Sequence, residues 1–138
     1  MIRAVVDTNV YVSALVFGGK PAAVLQLAEA GAFQLVASAE IREELLATLT
    51  EKFGWSNDRA KRACRELWDE ACWVVPSQDV QVSRDPGDDF ILACALESQA
   101  AFVISGDLDL PALHPFQGVA IVTPAAFLAR TARELGRR

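Results

Sequence analysis

Histidine, cysteine, basic charge and long apolar runs are all scarce in this chain, and each scarcity closes a class of function. The single histidine, His114, rules out a multi-histidine metal centre. The three cysteines, Cys64, Cys72 and Cys94, are odd in number and irregularly spaced, so they form neither a disulfide framework nor a zinc pattern. They read instead as small hydrophobes in a reducing compartment. No apolar stretch approaches the roughly 20 residues of a membrane span, and no long apolar segment follows Arg3, so a cytoplasmic protein is expected. Thirteen Lys and Arg stand against 18 Asp and Glu, a net charge of −5. The chain-wide basic footprint of a tight, non-specific nucleic-acid binder is therefore missing. An acid excess is compatible with an enzyme that handles phosphate through bound cations.

The 138 residues are 52% hydrophobic and 22% charged, the composition of one globular domain with a real core. There is no repeat, low-complexity tract or linker, so residues 1–138 are read as one domain. Short β-branched runs alternate with helical patterns. "IRAVV", "FQLVAS", "WVVP", "AFVIS" and "GVAIVT" read as strands. "TNVYVSALVF", "PAAVLQLAEAG", "AEIREELLATLTEKFG", "SNDRAKRACRELWDEAC", "DDFILACALESQA" and "PAAFLARTARELGRR" read as helices, with Ser38 a cap and Gly31 and Gly54 stops. Strands separated by helices predict an α/β fold with a central parallel sheet covered on both faces. Ligands in such folds bind at the carboxyl ends of the strands.

Four segments bring acid to that edge. They are Asp7, directly after the first strand; Glu43 or Glu44, after "QLVAS"; Asp85, Asp88 and Asp89 in "RDPGDD"; and Asp107 with Asp109 in "SGDLDL". Gathered carboxylates repel unless a cation or a proton intervenes, and an all-oxygen set suits Mg²⁺ or Mn²⁺. Each segment also has a plainer reading: a helix N-cap for Asp7, a solvated helix face for one of the two glutamates, turn chemistry for the aspartates. The joint arrangement is what those plainer readings do not explain. Two phosphotransfer alternatives fit poorly. A dehalogenase-type phosphatase wants a second Asp where Asn9 stands, and a response-regulator receiver wants a late Lys, whereas the lysines are Lys20, Lys52 and Lys61.

The stretches "VVDTNVYVSALVFGGKPAAVLQLA", "LVASAEIREELLATL", "RDPGDDFILACALESQAAFVISGDLDL" and "GVAIVTPAAFL" resemble, in order, the PIN-domain family, in particular its VapC-like branch of toxin–antitoxin ribonucleases. The resemblance implies a three-layer α/β/α, Rossmann-like sandwich and a Mg²⁺- or Mn²⁺-dependent endoribonuclease. Position by position, it puts the metal-site acids on Asp7, Glu44, Asp88 and Asp107, with Asp89 the alternative to Asp88 and Asp109 a supplementary ligand. Thr8, Asn9 and Ser105 fall where the family has small polar residues near metal or phosphate, and Ser13 lies further along the same helix. It also implies an RNA substrate, a homodimer and a small antitoxin. The alternative is a PIN-like module that binds RNA or protein without cutting. Of the remaining residues, His114 reads as surface or packing. Trp68 and Trp73 read as packing, and Trp55 as the most exposed tryptophan. Arg59, Lys61, Arg62 and Arg65, and the terminal Arg130, Arg133, Arg137 and Arg138, read equally as RNA-backbone contacts or solvated helix faces.

Overall fold

The computed structural model describes residues 1–77, 86–106 and 114–136, without the side chains of residues 86–88 and 134–136. In chain order the elements are β1 (Arg3–Val6), α1 (Thr8–Val16), α2 (Gly19–Glu29), β2 (Gln34–Ala37), α3 (Ala39–Glu51), α4 (Asn57–Trp68), β3 (Cys72–Trp73), α5 (Pro86–Ser98), β4 (Phe102–Ile104), β5 (Ala120–Val122) and α6 (Pro124–Gly136). All five expected strands and all six helices are present, although "WVVP" contributes only Trp73 to the sheet, beside Cys72. The helix expected from Asp88 onward begins two residues earlier, at Pro86, whose fixed φ suits a first helical turn.

The strands form one sheet in the order β3-β2-β1-β4-β5, and every named pairing is parallel. Parallel strands need crossover helices, and these bury both faces of the sheet. That is why the strands read as continuous apolar runs: Ala4, Val5 and Val6, then Leu35, Val36 and Ala37, then Val103 and Ile104 are all buried. Helix α5 packs on β1, β2 and β4; α1 packs on α2 and α3, and α3 on α4. The chain winds from β1 to β2 to β3 on one side and from β4 to β5 on the other. The winding therefore reverses between β1 and β4, the place where sheets of this type open a crevice for ligands.

Local signals set the element ends. The Ser38 hydroxyl accepts from Ile41 N at 3.3 Å to cap α3, and the Ser56 hydroxyl accepts from Arg59 N at 3.1 Å to cap α4. Each such cap contributes about 1 kcal/mol. Helix α2 stops because Gly31, at φ +82°, turns left-handed. Gly31 N then donates to Ala28 O and Ala32 N to Leu27 O, which satisfies two carbonyls the helix end leaves open. Helix α4 buries Ala60, Cys64 and Trp68, a stripe at four-residue spacing. Trp68 reaches α1, where its Nε1–H donates to the Tyr11 hydroxyl at 2.9 Å and the two rings meet edge to face. Trp68 thus packs as expected. Trp55 is half-buried, and Trp73, 49% exposed, is the more open of the two, which reverses the expected ranking. No single described helix is long and apolar enough to cross a membrane.

Cys64 and Cys94 are buried free thiols, and Cys72 is half-buried. Burial pushes the Cys64 and Cys94 thiols above their ordinary value of 9.0, because a thiolate is poorly solvated there. Burial likewise pushes the Tyr11 hydroxyl well above 10.0. Raised acid pKa values stabilise the fold only while the unfolded chain is also neutral. That contribution is complete below about pH 9 and is lost as pH rises past it, where unfolded thiols ionise and folded ones do not. The urea midpoint is therefore expected to hold steady from pH 7 to 8.5 and to fall from pH 9 to 11. At pH 8 without denaturant, iodoacetamide is expected to label Cys72 first and the other two at the rate of global unfolding. Equal labelling of all three, followed by mass spectrometry, contradicts this.

Candidate active site

Asp7 is the first residue past β1, at the N-cap position of α1 with φ −63° and ψ 145°. A capping carboxylate would accept from the first-turn N–H groups, but Asp7 makes no such side-chain bond. Its Oδ2 instead accepts from the Ser105 hydroxyl at 2.8 Å. The plain capping explanation for this acid therefore fails. Ser105 is the first residue past β4, so the bond joins the two strand ends that flank the winding reversal. The sheet enforces the meeting: Val6 pairs with Ile104, and Asp7 N donates to Ile104 O at 2.9 Å.

Both partners are buried, Asp7 at 5% exposure and Ser105 at 0%. A carboxylate withdrawn from water is expensive unless hydrogen bonds or a cation compensate. Beside it, Thr8 is buried at 2%, and its Oγ1 has no hydrogen-bond partner among the described residues. A buried hydroxyl without a partner is uncommon in a folded protein and marks a place that something else completes. The donors gathered here are oxygens: two carboxylate oxygens and two hydroxyls. Such a set matches a hard divalent cation, while the thiols of Cys64 and Cys94 sit in the core.

The other expected site residues divide by position. Glu44 is exposed on α3, the helix that begins at the carboxyl end of β2, and directly precedes the buried Leu45. Glu43 is also exposed. Asn9 is exposed on the first turn of α1, and Ser13 is half-buried one turn further on. The Asp88 backbone lies in the first turn of α5, but its side chain is outside the described residues; Asp89 is half-buried. Asp85, Asp107 and Asp109 lie outside the described residues. Among the described residues, no three His, Cys, Asp or Glu side chains gather as a metal set. His114 stays apart on an exposed turn, where its Nδ1 accepts from Ile121 N at 2.9 Å. A cavity of about 410 Å³ lined by Glu29, Phe33, Gln34, Glu66 and Glu70 opens by the amino end of β2, away from the strand carboxyl ends.

Sequence reasoning placed Ser105 near metal or phosphate but did not give it a partner. Arg42, on α3, lines a cleft together with cations of α4.

A PIN domain family profile matches residues 3–109, most of the chain. No match was found among curated protein sequences. Among solved structures, the fold is similar to a chain in the crystal structure of VapBC2 from Rickettsia felis bound to a DNA fragment from their promoter. That likeness has a TM-score of 0.62 at 11% identity, and covers 88% of this chain and 98% of the other. The profile spans β1, β4 and the strand-end residues Asp7 and Ser105 that meet between them, and on that match this chain belongs to the PIN-domain family.

Proposed function

We propose that this chain is a divalent-metal-dependent endoribonuclease, the toxin half of a toxin–antitoxin pair, with residues 1–138 acting as one PIN domain. The observation that carries the reading is the buried Asp7–Ser105 bond, with a Thr8 hydroxyl beside it that has no partner among the described residues, at the winding reversal of a parallel sheet. Membership of the PIN-domain family supports nuclease chemistry. Likeness to a chain from a toxin–antitoxin complex supports a small antitoxin partner.

In this reading Asp7, Glu44, Asp88 and Asp107 hold Mg²⁺ or Mn²⁺, with Asp109 supplementary and Asp89 the alternative to Asp88. A cation held there lowers the pKa of water and neutralises charge developing on phosphate. The chain's own residues do the rest. Ser105 donates to one oxygen of Asp7 and so fixes which way the carboxylate faces. Thr8 has a hydroxyl available to donate to a non-bridging phosphate oxygen, where negative charge grows as the phosphorus becomes five-coordinate. Asn9, exposed one residue on, is open to a substrate phosphate. Glu44 orients the attacking water. Hydrolysis adds that water across one P–O bond, and its proton ends on the departing sugar oxygen. The protein works as a homodimer in the cytoplasm, where RNA and antitoxin are both met.

The test is cleavage of RNA by the purified protein in Mn²⁺, Mg²⁺ or EDTA, with calorimetry for metal binding. Cleavage in metal that stops in EDTA is the expected result. Neither cleavage nor metal binding would leave a binding module and end the nuclease reading.

A further inference from the structure

A chain of net charge −5 that acts on RNA must hold a polyanion somewhere other than its acidic edge. A cleft of about 390 Å³ between α3 and α4 is lined by Arg42, Asp58, Lys61, Arg62 and Arg65. Four cations there face one carboxylate. The fold makes this cluster by segregation. Helix α4 turns Ala60, Cys64 and Trp68 into the core, which leaves Lys61, Arg62 and Arg65 on the outer face. Helix α3 adds Arg42 from a position about twenty residues away in sequence. Lys61 and Arg65 are a like-charged pair four residues apart, which a bound polyanion would relieve, beside the opposite charge of Asp58. Three of the four cations are guanidiniums, whose planar fork matches phosphate.

A second feature adjoins it. The Arg59 guanidinium lies 3.7 Å from the centroid of the half-buried Trp55 ring. Arg59 is one helical turn from Arg62. An arginine held over an indole belongs to the guanidinium and aromatic surfaces on which unpaired bases stack. Cationic grooves bordered by such platforms bind single strands; an acidic protein segment has no use for the platform.

Resting on the ribonuclease reading above, we infer that the cleft between α3 and α4 is the groove for the phosphate backbone of a single-stranded RNA substrate, with the Trp55–Arg59 stack as a base platform. The cleft lies on the flank of α3 opposite the acidic side. Arg42 and Glu44 are two residues apart, which is about 200° around a helix, so the two flanks are separated by about one helix diameter, roughly 10–12 Å. A strand held in the cleft crosses the start of α3 to reach the strand-end carboxylates.

The experiment measures binding apart from cleavage. Fluorescence anisotropy of a labelled single-stranded RNA in EDTA, over a range of salt, compares the unaltered protein with R62Q/R65Q and with R130Q/R133Q. The second variant removes the same charge from exposed positions on α6. All four positions are on exposed surface, and a thermal melt checks that both variants fold. R62Q/R65Q is expected to bind roughly tenfold more weakly or worse. Its log–log salt slope should shrink by about 1.4, at about 0.7 for each phosphate of a single strand that the variant no longer neutralises. R130Q/R133Q should bind within about twofold of the unaltered protein. Equal losses in both variants would reduce the effect to net charge and overturn the cleft, as would no loss in R62Q/R65Q. A failure of the unaltered protein to bind RNA would overturn it outright. Parallel cleavage in Mn²⁺ separates the two proposals. Normal cleavage with no binding difference sinks the cleft alone, whereas cleft-dependent binding with neither cleavage nor metal binding leaves an RNA-binding groove and sinks the nuclease reading.

Discussion

Asp7→Asn is expected to abolish metal-dependent RNA cleavage while leaving the protein folded. The amide has the shape of the carboxylate, and its oxygen still accepts from the Ser105 hydroxyl. What disappears is the negative charge at the carboxyl end of β1. Losing a residue that merely supports a metal ligand costs about 10–100-fold, so loss of the charge of the proposed ligand Asp7 should exceed roughly a hundredfold. The stability signature runs the other way. A carboxylate only 5% exposed is penalised more for its burial than a neutral amide is. Without metal, the variant should melt at the same temperature as the unaltered protein or above it. With Mn²⁺ at about 100 times its Kd, the unaltered protein should gain about 2.7 kcal/mol and the variant little of it. Thermal melts with and without Mn²⁺, alongside the cleavage assay, read both effects. Undiminished cleavage by Asp7→Asn would remove this residue from the chemistry.

Trp68→Ala is expected to produce a large loss of stability, about 3–5 kcal/mol, the range for truncating a buried aromatic. Trp68 is 3% exposed and anchors α4 to the rest of the molecule. It meets Tyr11 edge to face at 5.3 Å and Trp73 at 5.7 Å. Its removal also strips the fully buried Tyr11 hydroxyl of the indole N–H that donates to it. An unsatisfied buried polar group adds its own penalty to the cavity. Trp68→Phe keeps a ring and loses the N–H, so its loss should be well under half as large. Trp73→Ala, at a half-exposed edge strand, should cost the least of the three. Urea unfolding of the three variants checks the ranking. Equal losses would mean that the tryptophans act as surface residues and that α4 is held by something else.

Much of the architecture is written in local pattern. β-branched apolar runs of four or five residues fit strands buried on both faces, and the amphipathic segments between them fit crossover helices. Ser38 announces its cap because a short hydroxyl side chain satisfies the helix N–H beside it. Gly31 announces its stop because a left-handed residue there avoids a Cβ clash. Even the carboxyl-edge position of Asp7 follows from the run that ends at Val6. Exposure was less legible. The Trp55 ring gained cover from Arg59, one turn into α4, while Trp73 fell on a two-residue strand at the edge of the described sheet.

By itself, then, the sequence determined the strands, the helices and their parallel arrangement, because these depend on the periodicity of side chains a few residues apart. Only the tertiary structure decided what each charged or polar group meets. Asp7 could cap its own helix or turn to another strand, and the pairing of Val6 with Ile104 brought Ser105 to it from 98 positions away. Arg42 could be solvated surface, and the packing of α3 on α4 set it among three cations of another helix. Tyr11 and Trp68 lie 57 positions apart and meet only because both helices bury their apolar stripes against the same core. Hydrophobic burial is non-directional and can be read from pattern. A hydrogen bond or a charge cluster needs two groups within a few ångströms, and sheet register and helix packing set that distance.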